Sequence, residues 1–105
     1  MTLKIANLTL FTVLSAVLVS CAAPPPIEEY TLARTAKQAA RAAESGRHAS
    51  GFWYKAEEHY RKGEKAYKNG DFAQAKIDLD LAKQYAEKAE NVTRLKKFQS
   101  GELAP

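Results

Sequence analysis

Small residues recur at helical spacing in three successive stretches of this chain, and that rhythm constrains the fold more than any other feature. Ala33, Ala36, Ala40 and Ala43 fall three and four apart, as do Trp53, Ala56, Tyr60, Gly63 and Tyr67, and then Phe72, Ala75, Leu79, Ala82, Ala86 and Ala89. Only a helix brings such positions onto one face; a strand, with its period of two, would scatter them over both. The chain is therefore read as all-α. Because the stripes are rich in alanine, neighbouring helices are expected to approach closely.

The punctuation agrees with that rhythm. The first helix is predicted from Glu28 to Glu44, ended by Ser45-Gly46, with a polar connection through Ala49-Ser50-Gly51. The second runs from Phe52 to Lys68 and stops at Asn69-Gly70, where glycine supplies a left-handed residue. Asp71 is placed to cap the third, from Phe72 to Phe98, with Gln74 completing a capping-box-like start. Glu57, Glu58 and Glu64 precede Arg61, Lys62 and Lys68 by four residues, which marks a solvated face. On the third helix Ile77, Leu81, Tyr85, Val92 and Leu95 widen the apolar surface, so two helices are expected to pack against it. The expected domain is a three-helix antiparallel bundle over residues 28–98, with 99–105 as a tail.

The first twenty residues belong to another class. They hold one charge, Lys4, and an almost unbroken apolar run from Ile5 to Val19, so part of the 46% hydrophobic content lies outside any core. Such a segment reads as a secretory signal or as a retained transmembrane helix. Leu18-Val19-Ser20-Cys21 favours the first. These four residues resemble the bacterial lipoprotein signal, with Leu three before the cysteine and small or short residues between. The resemblance implies cleavage before Cys21 and a thioether from its thiol to a diacylglyceryl group, with an acyl chain on the freed amine. Two or three chains hold a protein on a membrane far more firmly than one, at about 0.8 kcal/mol per buried methylene. It further implies the periplasmic face of an outer membrane, since Ala22 and not Asp follows the cysteine. The run Pro24-Pro25-Pro26 reads as a stiff spacer over residues 21–27 that lifts the domain off the lipid.

Two further resemblances concern the helices. Gly63, Gly70-Asp71-Phe72, Ala75, Leu79 and Ala82 are similar to one tetratricopeptide repeat from Ala56 to Tyr85, in which the first glycine lets two helices cross and the Gly-Asp-aromatic turn reverses the chain. His59, Lys62 and Ala66 depart from that repeat's pattern of large apolar residues. The span from Glu28 to Lys97 as a whole resembles small bacterial lipoproteins that bear an alanine-rich domain of unknown function.

Catalysis is not expected. A chain of 105 residues with one cysteine, with His48 and His59 eleven positions apart, and with neither an HExxH motif nor a glycine-rich loop, contains no recognisable catalytic or metal-ligating set. No cofactor is expected beyond the lipid on Cys21. His59 is read as a half-exposed substitute for an aromatic. Trp53, Tyr60 and Tyr67, seven apart, are assigned to the core, whereas Tyr54 falls off that stripe. Tyr54, Arg61 and His59 are the candidate partner contacts, because aromatics and arginine are favoured at interfaces. Arg94, Lys96 and Lys97 suit the negative end of a helix, with anionic lipid or peptidoglycan as a second assignment. The expected function is a non-catalytic, membrane-anchored interaction or scaffold module of the cell envelope that docks an envelope protein. The alternatives are a peptidoglycan-contacting structural lipoprotein, or an accessory subunit of a periplasmic enzyme or secretion machine; nucleic acid is not expected as a partner.

Overall fold

The structure, a computed structural model, describes residues 2–7 and 23–102. Residues 2–7 are helical and exposed. The remaining described residues form four helices: α1 (Ile27–Ala42), α2 (Ser45–His48), α3 (Ser50–Lys68) and α4 (Phe72–Gln99). The all-α expectation is met, and the three long helices lie within two residues of their predicted bounds.

Each end has a local cause. At the end of α3, Gly70 takes φ +76°, its N–H donates to the Tyr67 carbonyl, and the Asp71 N–H donates to Ala66 at 2.9 Å. That is the Schellman arrangement, in which a left-handed glycine lets two otherwise orphaned carbonyls be satisfied. The Asp71 side chain then accepts from the Gln74 N–H and starts α4. The reciprocal half of the expected capping box does not form. With its own N–H spent on Ala66, Asp71 leaves the Gln74 amide free to donate to Asp78 instead, at 2.9 Å.

The predicted connection after α1 is largely helical. Glu44 adopts φ +67°, an uncommon conformation for a side chain with a Cβ, and reverses the chain into the single turn of α2. Ser45 is held there because its hydroxyl, fully buried, accepts a hydrogen bond from the equally buried Thr93 of α4 at 3.0 Å.

α4 is the central element. α3 packs antiparallel to it, with Gly63 against Leu79 and Phe52 beside Tyr85. α1 runs parallel to it, with Glu29 bonded to Lys76 and Ala36 and Ala40 against Ala86. By contrast α1 and α3 touch each other far less, so the packing is uneven around α4. Among the described residues the buried hydrophobic core is Ala33, Ala36, Ala40, Ala49, Ala56, Ala75, Ala82, Ala86 and Ala89, with Leu79 the one large side chain. Trp53, Tyr60 and Tyr67, assigned to the core, are half-buried and flank it, because an alanine interior brings the helix axes too close for whole rings. Ala43 is the helix cap, only half-buried, while Ile77 and Leu95 are exposed.

The proline run is not a free spacer at its far end. Pro26 is buried, accepts the Tyr30 N–H at 3.0 Å, and with Pro24 and Pro25 lines a hollow against Phe72, Ala73 and Lys76. The chain thus enters the domain beside the start of α4.

Candidate functional site

The lipidation residues Leu18, Val19, Ser20 and Cys21 lie outside the described residues. The described residues hold three groups of side chains in which polar or cationic chemistry is concentrated.

The first lies inside the α3–α4 hairpin. His59 Nδ1 is 3.0 Å from Asp78 Oδ1, the Gln74 amide donates to Asp78 Oδ2, and the His59 ring stacks on Tyr85 with centroids 5.6 Å apart. Asp78 is only 5% exposed. Burial pushes its carboxyl up, but hydrogen bonds from Gln74 and His59 outweigh burial and hold it below the ordinary carboxylate range. An imidazole fixed by a carboxylate resembles part of an acid–base set. Here, however, both atoms link one helix to the other, and His59 is half-buried, so it acts as a strut of the hairpin and not as a free contact residue. Asp78 was not anticipated from the sequence. Its position was nonetheless legible, because 75, 78, 79 and 82 share one helical face and an acid on a buried stripe requires partners.

The second is the seam between α1 and α3, where edge-to-face aromatics replace close packing. Tyr30 meets Tyr60 at 5.8 Å and Tyr67 at 5.2 Å, and its hydroxyl donates to Glu64 at 2.6 Å. That bond holds the Glu64 carboxyl below its usual range, while desolvation first and the same bond second push the Tyr30 phenol up. Over these rings lie cations of α1: Arg34 over Tyr30 at 5.4 Å, Lys37 over Tyr60 at 4.1 Å and Arg41 over Trp53 at 5.9 Å. The seam stays open in two hollows of about 370 and 210 Å³, both lined in part by Arg34. Sequence reading assigned the rings to a core and passed over the three cations, although 34, 37 and 41 share the three-four spacing of a single helical flank.

The third is the outer face of α3. Tyr54 is 61% exposed, as its position off the aromatic stripe implied, and Arg61, seven residues on, is exposed as well. Tyr54 and Arg61 therefore share a flank, from which His59 is turned away into the hairpin. Glu58 and Glu64 pair with Lys62 at 3.2 Å and Lys68 at 3.6 Å, while Arg61 has no carboxylate within 4 Å among the described residues.

The cations at the end of α4 are spoken for. Arg94 pairs with Glu90 at 2.8 Å, Lys97 pairs with Glu44 at 3.2 Å, and Lys96 donates to the His48 carbonyl. Lys97, by hydrogen bond and charge, holds the Glu44 carboxyl below its usual range. Lys96 and Lys97 tie α4 to the α1–α2 corner, while the Arg94–Glu90 pair stays within α4. Among the described residues no group of three or more His, Cys, Asp or Glu side chains is placed to hold a metal ion, and no helix is long and apolar enough to cross a membrane.

A family model described as a domain of unknown function (DUF4398) matches residues 28–102. No curated protein and no solved structure matches the chain.

Proposed function

The chain belongs to the DUF4398 family through residues 28–102, and from that membership together with its leader we propose a lipid-anchored, non-catalytic interaction module of the bacterial cell envelope. The observation that carries this reading is the inverted placement of side-chain size. Alanine fills the interior, while Ile27, Leu32, Tyr54, Ile77, Leu95 and Phe98 stand exposed on rigid helices. Exposed large apolar side chains serve as anchors for another molecule where they gather in one patch, and this reading assigns that role to a subset of them.

In this reading the leader, residues 1–20, is removed and Cys21 carries the diacylglyceryl and N-acyl groups on the periplasmic face of the outer membrane. Because Pro26 is buried beside Phe72, the anchor would hold the Asn69-Gly70 turn close to the lipid and the α1–α2 corner away from it. Substituting Cys21→Ser is expected to abolish incorporation of labelled fatty acid and to release the protein from membranes; retention of both would overturn the anchor. A photo-crosslinker at Tyr54 in the native envelope is expected to capture a discrete protein partner, and repeated capture of none would overturn the interaction reading.

A second reading, direct contact with peptidoglycan, is favoured by one observation: an exposed aromatic, Tyr54, and an arginine without a carboxylate partner among the described residues, Arg61, on one flank of α3. Here the full chain in detergent would sediment with isolated sacculi, and Tyr54→Ala or Arg61→Ala would release it.

A further inference from the structure

Positive charge without a carboxylate partner gathers on the α1 side of the α1–α3 seam. Elsewhere Lys62, Lys68, Lys76, Lys83, Arg94 and Lys97 each have a carboxylate within 4 Å, and a smaller pair of cations, Lys55 and Lys88, lies over Tyr85 and Phe52 on the α3–α4 side. Arg34, Lys37 and Arg41 have none among the described residues. Lys37 is half-buried over the Tyr60 ring, and desolvation lowers its pKa, so its ammonium sits in a place that disfavours charge until an anion arrives. Glu57 and Glu64 face it from α3 at longer range, but Glu64 is already bonded to Tyr30 and Lys68.

We propose that the seam between α1 and α3 is the seat of a partner helix bearing a stripe of acidic residues. The proposal rests on the interaction-module reading and names the surface and the chemistry of the partner. Shape supports it first. α1 and α3 both lie on α4 and meet each other mainly through side chains, leaving hollows of about 370 and 210 Å³ along their seam, on the side where a fourth helix would complete a bundle. Spacing supports it next. Steps of three and four residues along α1 set the cations about 4.5 and 6 Å apart, the pitch at which a helix presents carboxylates at i, i+3 and i+7. Lys37 is half-buried over Tyr60 and lines the smaller hollow with Arg34 and Arg41, within reach of a side chain laid along the seam. At the open end, exposed Ile27 offers an apolar contact to close the groove.

Trp53, the only tryptophan in the chain, lies under Arg41 and reports occupancy by its fluorescence. The probe is a synthetic alanine-leucine helix of about 18 residues, roughly 27 Å long, with glutamates at i, i+3 and i+7. Its control has the same composition with the glutamates spread around the helix. Added to the purified full chain in neutral detergent, the striped peptide is expected to shift the Trp53 emission saturably, and the control to bind roughly tenfold more weakly or less. R34Q/K37Q/R41Q is expected to lose a similar factor, while K55Q/K88Q, which removes cations from the opposite side, retains binding. Circular dichroism establishes that each variant is folded, and single Lys37→Gln serves if the triple variant is not. Equal binding of both peptides, or unchanged binding by a folded triple variant, would overturn the proposal. So would anionic phosphatidylglycerol vesicles that shift Trp53 as strongly as the striped peptide through the same three cations. If the peptide fails while Tyr54 crosslinks to a protein, the groove assignment falls and the interaction module stands.

Discussion

The two seams made by α3 are built on opposite principles. Against α4 it presents Gly63, and a Cβ placed there would come within 2.8 Å of Leu79 Cγ, so at that crossing the helices touch backbone to side chain and leave no room, although the seam opens again beside Lys62 and Gln74. Against α1 it presents Tyr60 and Tyr67, which hold that helix off by ring edges and by cations laid over their faces. Small residues close a seam; large rings with cations prop one open. The Gly63 crossing is close-packed, whereas the α1–α3 seam is held by ring edges and cations around hollows of about 370 and 210 Å³.

The contrast can be broken most directly at Leu79. Leu79→Ala is expected to destabilise the fold by about 2–5 kcal/mol in urea unfolding, since it removes the one large side chain from an alanine interior that has little means of collapsing around the void. Gly63→Ala should cost about 1–3 kcal/mol by overpacking the same point. Combined with Leu79→Ala its penalty is expected to shrink, because the clash partner is gone; strict additivity would show that the two do not share the contact.

Asp78→Asn tests the polar strut of the closed seam, with an expected loss of about 1–3 kcal/mol. Its pH signature has a definite sign. The folded carboxyl titrates below its ordinary value, so the folded state binds fewer protons than the unfolded state in the acid range. The contribution is therefore complete above the unfolded pKa of about 3.9 and is lost as pH falls through the lower, folded value. Acid unfolding curves of Asp78→Asn should lack that component. The smallest effect belongs to the open seam: Lys37→Gln is expected to change stability by no more than about 1 kcal/mol, the scale of a partly exposed cation over a ring. A larger loss would mean that the seam is structural and not spare.

Much of the architecture was legible because helical period, turn chemistry and capping are local. The stop at Asn69-Gly70, the Asp71 cap and the buried stripe of α4 followed from residues within a turn or two of one another. What escaped was non-local. The Ser45 hydroxyl bonds to no side chain of its own segment but to the hydroxyl of Thr93, forty-eight residues away, and that contact helps a polar connection coil into α2. His59 is half-buried, and its partner, Asp78, is defined only once the hairpin sets the two helices in register.

Taken alone, the sequence determined that the domain is helical, where its three long helices begin and end, and that alanine lines their facing stripes, because each of these depends on periodicity and on groups already adjacent in the chain. The tertiary structure decided that α4 is shared by both neighbours, that the aromatic stripe of α3 props a seam apart instead of filling a core, and that three cations of α1 lack carboxylate partners. Those outcomes depend on how closely helix axes approach and which side chains meet across them, distances that no spacing along one chain contains.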